Sequence, residues 1–227
     1  MITWFVIIIF VLFLIYRFRK IIVLSVIRLV YGQYSYEFLN TYKKFFVRSP
    51  FHYCFRDDFI THLLFAMSKN EEIPSYKSKE EIEFENTPYF IHYKDFLKKK
   101  GSPYCFNAFV IDKLHFEIKS LGYQSTITGS KAVTLFYFIN DSFFMGEYIF
   151  KNPKTDVKAV LINDFLNIPG ISDDNFYIEN ANNLIIHFQN TGFIVDVKYL
   201  NIGDNAIIDS LKGYYNYITG KKPVMKF

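Results

Sequence analysis

A chain of 227 residues that is 51% hydrophobic allows one membrane anchor plus one compact domain. Its net charge of +4 is misleading: seven cations (Arg17, Arg19, Lys20, Arg28, Lys43, Lys44, Arg48) and a single acid, Glu37, precede residue 49, and the 19 cations and 21 acids beyond leave the remainder at −2, which excludes the spread basic footprint of a nucleic-acid-binding protein. Two cysteines, Cys54 and Cys105, exclude a disulfide framework and read as reduced, partly buried thiols of a cytoplasmic domain.

Ile2–Tyr16 holds no charge, proline or glycine, and Arg17, Arg19 and Lys20 close it. As a helix it runs about 22 Å, short of the ~30 Å hydrocarbon core by an amount that snorkelling cations and local thinning accommodate. A cleaved signal peptide would put basic residues before the run and small residues after it, the reverse of what stands here. A core helix would keep a polar stripe, and only Thr3 is polar. The expected anchor contacts are therefore Ile2, Trp4, Phe5, Ile8, Phe10, Leu12, Leu14 and Tyr16, with Arg17, Arg19, Lys20 and Arg28 at the lipid head groups. Cations on the C-terminal side place the N-terminus outside and the domain in the cytoplasm.

Ile21–Tyr31 extends the anchor, lies in the interface or packs on the domain; Gly32 ends it. Residues 33–101 read as a helical connecting region: Ser35 caps a helix that Ser49-Pro50 breaks, Asp57 and Asp58 open another through Met67, and Thr87-Pro88 starts a third that stops at Gly101. Between them, residues 68–86 are charged and poor in large apolar side chains, which predicts a solvated loop.

Residues 102–220 carry the clearest pattern. Phe106, Phe109, Val110, Leu114, Ile118 and Leu121 recur at helical spacing and predict a helix over Asn107–Leu121. Strands follow at Tyr123–Thr128, Ala132–Ile139 and Phe143–Phe150, a helix at Thr155–Phe165, and strands at Asn175–Glu179, Leu184–Phe188 and Phe193–Leu200. Asp204 caps a last helix to Thr219, and a basic tail occupies 221–227. The expectation is an α+β protein: a transmembrane helix, a helical connector and an α-βββ-α-βββ-α domain with a mainly antiparallel sheet and helices on one face. In that order alone, residues 105–220 resemble small secretion-chaperone-like domains, which implies a site for extended peptides.

Chemistry is hard to find. His52, Cys54, Asp57, Asp58 and His62 cluster in sequence without metal-ligand spacing. Thr128-Gly129-Ser130-Lys131 lacks the first glycine and the Gly-Lys pair of a phosphate loop and reads as a hairpin turn. Cys105, Asp112 and His115 could serve a membrane-associated hydrolase or transferase, but no nucleophile elbow accompanies them. Asp141, Asp173 and Asp174 fit turns, and Glu147 fits the solvent face of a strand. Neither a cofactor nor a metal is expected. The function read from the sequence is a membrane-anchored, non-enzymatic protein-binding module, either a membrane-assembly subunit or an immunity-type inhibitor, with lipid and an unidentified protein as partners.

Overall fold

Without a proline or glycine to interrupt it, the apolar N-terminal sequence forms one 30-residue helix, α1 (Ile2–Tyr31). The computed structural model describes residues 2–52, 54, 72–127, 129–154, 156–166, 171–201, 203, 209–211 and 213–214, and of Ile2, Thr3, Phe5 and Val6 the backbone alone. Of the roles open to Ile21–Tyr31, the segment continues the first helix and also packs on the domain, burying Leu24. Gly32, at φ 93°, ends it by donating its N–H to the Arg28 carbonyl at 3.0 Å. Ser35 then caps α2 (Tyr36–Phe46), its Oγ accepting from the Phe38 N–H at 3.2 Å. α2 turns back along α1, so that Lys20 Nζ donates to the Phe45 carbonyl at 3.3 Å.

Eight strands form one sheet in the order β1-β6-β7-β8-β5-β4-β3-β2. They are β1 (Ser75–Lys77), β2 (Cys105–Ile111), β3 (Phe116–Ile127), β4 (Ser130–Ile139), β5 (Ser142–Lys151), β6 (Asn175–Glu179), β7 (Leu184–Asn190) and β8 (Ile194–Asn201). β2–β5 and β6–β8 are two antiparallel meanders joined where β5 pairs antiparallel with β8, and β1 adds in parallel to β6. α3 (Tyr93–Lys100) precedes the first meander and α4 (Val157–Phe165) links the two. One face of the sheet, with Phe106, Phe136, Phe176 and Ile186, packs against Leu39 of α2, Phe96 of α3 and Leu161 of α4. The other face buries Cys105, Ile118, Leu135, Tyr137 and Leu200 together with Leu211.

Several expectations are corrected. Asn107–Leu121 is a hairpin: β2 and β3 pair Phe106 with Leu121 and Phe109 with Ile118, and His115 takes φ 53° in the turn. Both strands bury residues on both faces, so their apolar positions match a helical spacing by coincidence. The order after residue 102 is thus ββββ-α-βββ, which removes the basis of the chaperone resemblance. The charged 68–86 stretch is no solvated loop where it is described: it supplies β1, and Ile82 and Phe84 are fully buried. The helix expected from Thr87 begins only at Tyr93, capped by His92. Helices are not confined to one face, because Leu211, in helical conformation, packs on the face opposite α2, α3 and α4. The expected helix from Asp57 to Met67, most of that from Asp204 to Thr219, and the tail 221–227 lie outside the described residues.

Candidate functional site

Among the described residues the least covered apolar surface is that of α1. α2 covers it only from Lys20 onward, where Leu24 is buried and Ile27 half-buried. At 1.5 Å per residue, Ile2–Arg19 extends about 27 Å past the end of α2, close to the ~30 Å of a bilayer core. Of the expected anchor residues, Trp4, Ile8, Phe10, Leu12 and Tyr16 are exposed and Leu14 is half-buried; the side chains of Ile2 and Phe5 lie outside the described residues. Among the described residues no helix is long and apolar enough to cross a membrane, since the run of described side chains from Ile7 meets Arg17, Arg19 and Lys20.

Those three cations form one half of a collar. The Arg19 guanidinium lies 4.9 Å from the centre of the Tyr16 ring, and Lys20 Nζ lies 5.6 Å from that of Phe46. The antiparallel turn of α2 brings Lys43, Lys44 and Arg48, distant in sequence, to the level of Lys20. Arg28 stands about 12 Å further along the axis, and its Nη2 donates to Gln33 Oε1 at 2.8 Å.

A second polar feature lies within the sheet, on the face that carries Leu211. Glu147 of β5 is 6% exposed, accepts from the Tyr137 hydroxyl at 2.5 Å and pairs with Lys198 Nζ at 3.1 Å; Lys198 is 4% exposed and lies 3.7 Å from Asp196. Burial alone would lower the Lys198 pKa, but Glu147 and Asp196 more than offset it and hold the ammonium charged. Beside Lys198, His187 packs on Tyr177 and shares a 2.8 Å hydrogen bond with Asn175. Desolvation, and then the Lys198 charge, push its pKa down to about 3. Glu147 is therefore not on a solvent face, and Lys198, opposite it on β8, is buried as well. The alternation of β8 showed polar residues on one side but gave no sign that a carboxylate on β5 lay opposite them.

The residues considered for catalysis are not brought together. Cys105 opens β2 and His115 lies in the turn beyond its far end, about 20 Å away along the strand. Contrary to the expected free thiols, Cys105 is bonded to Cys54, with Cα atoms 5.2 Å apart. The bond ties residues 51 apart, a loop worth about 4 kcal/mol in lost unfolded-chain entropy. His52 stacks on Tyr104, and Asp57, Asp58 and His62 lie outside the described residues. No group of three metal-binding side chains converges among the described residues. Gly129 and Ser130 form the β3–β4 turn and the start of β4. Asp141, at φ 67°, pairs with Lys119 at 2.5 Å, Asp173 accepts from the Tyr76 hydroxyl at 2.8 Å, and Asp174 faces Lys158 at 3.6 Å.

No protein-family model, curated protein or solved structure matches this chain.

Proposed function

We propose that this chain is a single-pass membrane protein in which α1 is the anchor and the α+β domain, cytoplasmic and without catalytic activity, binds a protein partner. The observation that carries the reading is the uncovered apolar surface of α1. Each large apolar side chain gains about 1.5–3 kcal/mol on leaving water. A whole helix of them, projecting from a domain whose own core is closed, calls for an apolar surrounding. Ile2–Phe18 supplies the length, and the cations at its end favour anionic head groups by about 1 kcal/mol each.

The side of the membrane is read from the same cations, since Arg17, Arg19 and Lys20 directly follow the uncharged run Ile2–Tyr16. The Cys54–Cys105 bond pulls the other way, because cytoplasmic thiols are normally reduced. Orientation is fixed by flanking charge as the chain inserts, before Cys54 and Cys105 meet in the folded sheet. We therefore place the domain in the cytoplasm.

A protein partner is favoured by the half of α1 beyond Lys20. Ile22, Val26, Leu29 and Val30 are exposed there, Leu29 by 87%, at a depth the bilayer does not reach if Lys20 marks its surface. Photo-crosslinking from Leu29 of the full chain in intact cells tests this. One recurrent adduct, absent when the probe replaces Phe193 in the turn before β8, is expected. Failure to obtain any adduct from Leu29 while the chain remains in the membrane would overturn the partner reading.

A further inference from the structure

We propose that the end of α2 is a second lipid-contact site, in which Phe46 and Val47 enter the head-group layer of the bilayer that holds α1, and Lys44 and Arg48 pair with phosphates of anionic phospholipid. The inference rests on α1 being the anchor and fixes how the domain stands on the membrane.

Three observations carry it. The first is level: the Lys20–Phe45 hydrogen bond and the Lys20–Phe46 ring contact set the end of α2 beside the residue at which the apolar run of α1 has just ended. A plane through that point, with a full bilayer core on one side, meets Phe46 and Val47 on its surface. The second is Val47 itself. It closes α2 in the left-handed region, φ 59° and ψ 10°, its N–H donating to the Lys43 carbonyl at 2.7 Å. That position is normally filled by glycine or asparagine, and a β-branched residue there is strained. Yet the Val47 side chain is 92% exposed, so its packing within the domain offsets none of this strain. An apolar residue kept at an unfavourable backbone position and pointed outward is accounted for by a contact outside the domain. The third is charge: Lys44 and Arg48 are exposed on either side of this tip, Arg17, Arg19 and Lys20 continue the positive field across α1, and the one acid of the helix pair, Glu37, is in the first turn of α2, at its opposite end. Cations flanking apolar residues at a shared level match the chemistry of a phosphate-rich surface above hydrocarbon.

The test exploits the fact that Trp4 is the only tryptophan. The full chain is reconstituted into phosphatidylcholine vesicles with and without phosphatidylglycerol, and tryptophan quenching by acyl-chain-brominated lipid is read. Three chains are compared: the natural one, Trp4→Phe with Val47→Trp, and Trp4→Phe with Phe193→Trp. Strong quenching from position 4, quenching from position 47 that rises with phosphatidylglycerol, and none from position 193 are expected. Adding Lys44→Gln and Arg48→Gln should remove the dependence on phosphatidylglycerol at position 47. Phe46→Trp replaces Val47→Trp if the latter folds poorly. Quenching from position 4 with none from 46 or 47, or equal quenching from 47 and 193, overturns the second contact and leaves the anchor standing. No quenching from position 4 overturns the anchor and this inference with it.

Discussion

Gly146 lacks a side chain because Phe84 occupies the place where one would stand. A Cβ built on Gly146 meets the Phe84 ring, which itself packs on Phe136 at 5.0 Å and Tyr199 at 5.1 Å between ring centres. Gly146→Ala should therefore lower unfolding stability by about 1–3 kcal/mol, the usual cost of overpacking, and Phe84→Ala in the same chain should cancel much of the clash. Denaturant titration of the two single variants and the double variant measures that coupling, and an additive pair would show that Phe84 does not lie over Gly146. Gly122 stands in the same relation to the Cys54–Cys105 bond. Neither contact was legible in the sequence. Phe84 sits among Glu81, Glu83 and Glu85, a setting that reads as solvent, and its burial depends on a strand more than sixty positions later. Local chemistry was legible: Ser35 caps α2 and Gly32 ends α1 as their types predict, because those roles need only neighbouring backbone.

At the scale of elements, periodicity identified strands where a turn residue separated them and failed at the β2–β3 hairpin, where both faces are buried and the turn, Asp112–His115, holds no glycine, proline or asparagine. β4 through β8 fall within a few residues of the expected ranges and the strand expected from Tyr123 is the second half of β3, whereas β2 and the first half of β3 read as a helix. The same double burial explains the polar network. β4, β5, β8 and β7 place Tyr137, Glu147, Lys198 and His187 side by side under cover. Its energetics are measurable through His187. The folded protein holds this imidazole neutral, with a pKa of about 3 against 6.5 for the free side chain. Between those values the unfolded chain binds a proton that the folded chain refuses, so stability present above pH 6.5 is lost as the pH falls toward 3, by up to about 1.4 kcal/mol per pH unit. Unfolding free energies of the natural chain and His187→Gln, compared from pH 7 to pH 4, should diverge with that slope. Parallel curves would show that His187 is not held neutral.

For the whole molecule, the same hairpin of α1 and α2 gives the domain its proposed place. Residue type alone indicated an apolar run closed by cations, but only the fold shows that α2 returns to the level of Lys20, with the described side chains from Ile7 to Arg19 exposed apart from half-buried Leu14. Among the described residues that stretch buries no side chain within this chain, which is why internal packing does not name what it meets. The partner surface beyond Lys20 and the lipid contact at Val47 both depend on the plane so defined. The most direct measurement is protease protection of a tag placed after Phe227, in sealed vesicles of known sidedness washed with alkaline carbonate. The account predicts that the tag stays with the washed membranes, resists protease added to the extracytoplasmic face, and is cut once detergent opens the vesicles. A tag released by carbonate would contradict the anchor, and a tag cut from the extracytoplasmic face before detergent would contradict the orientation.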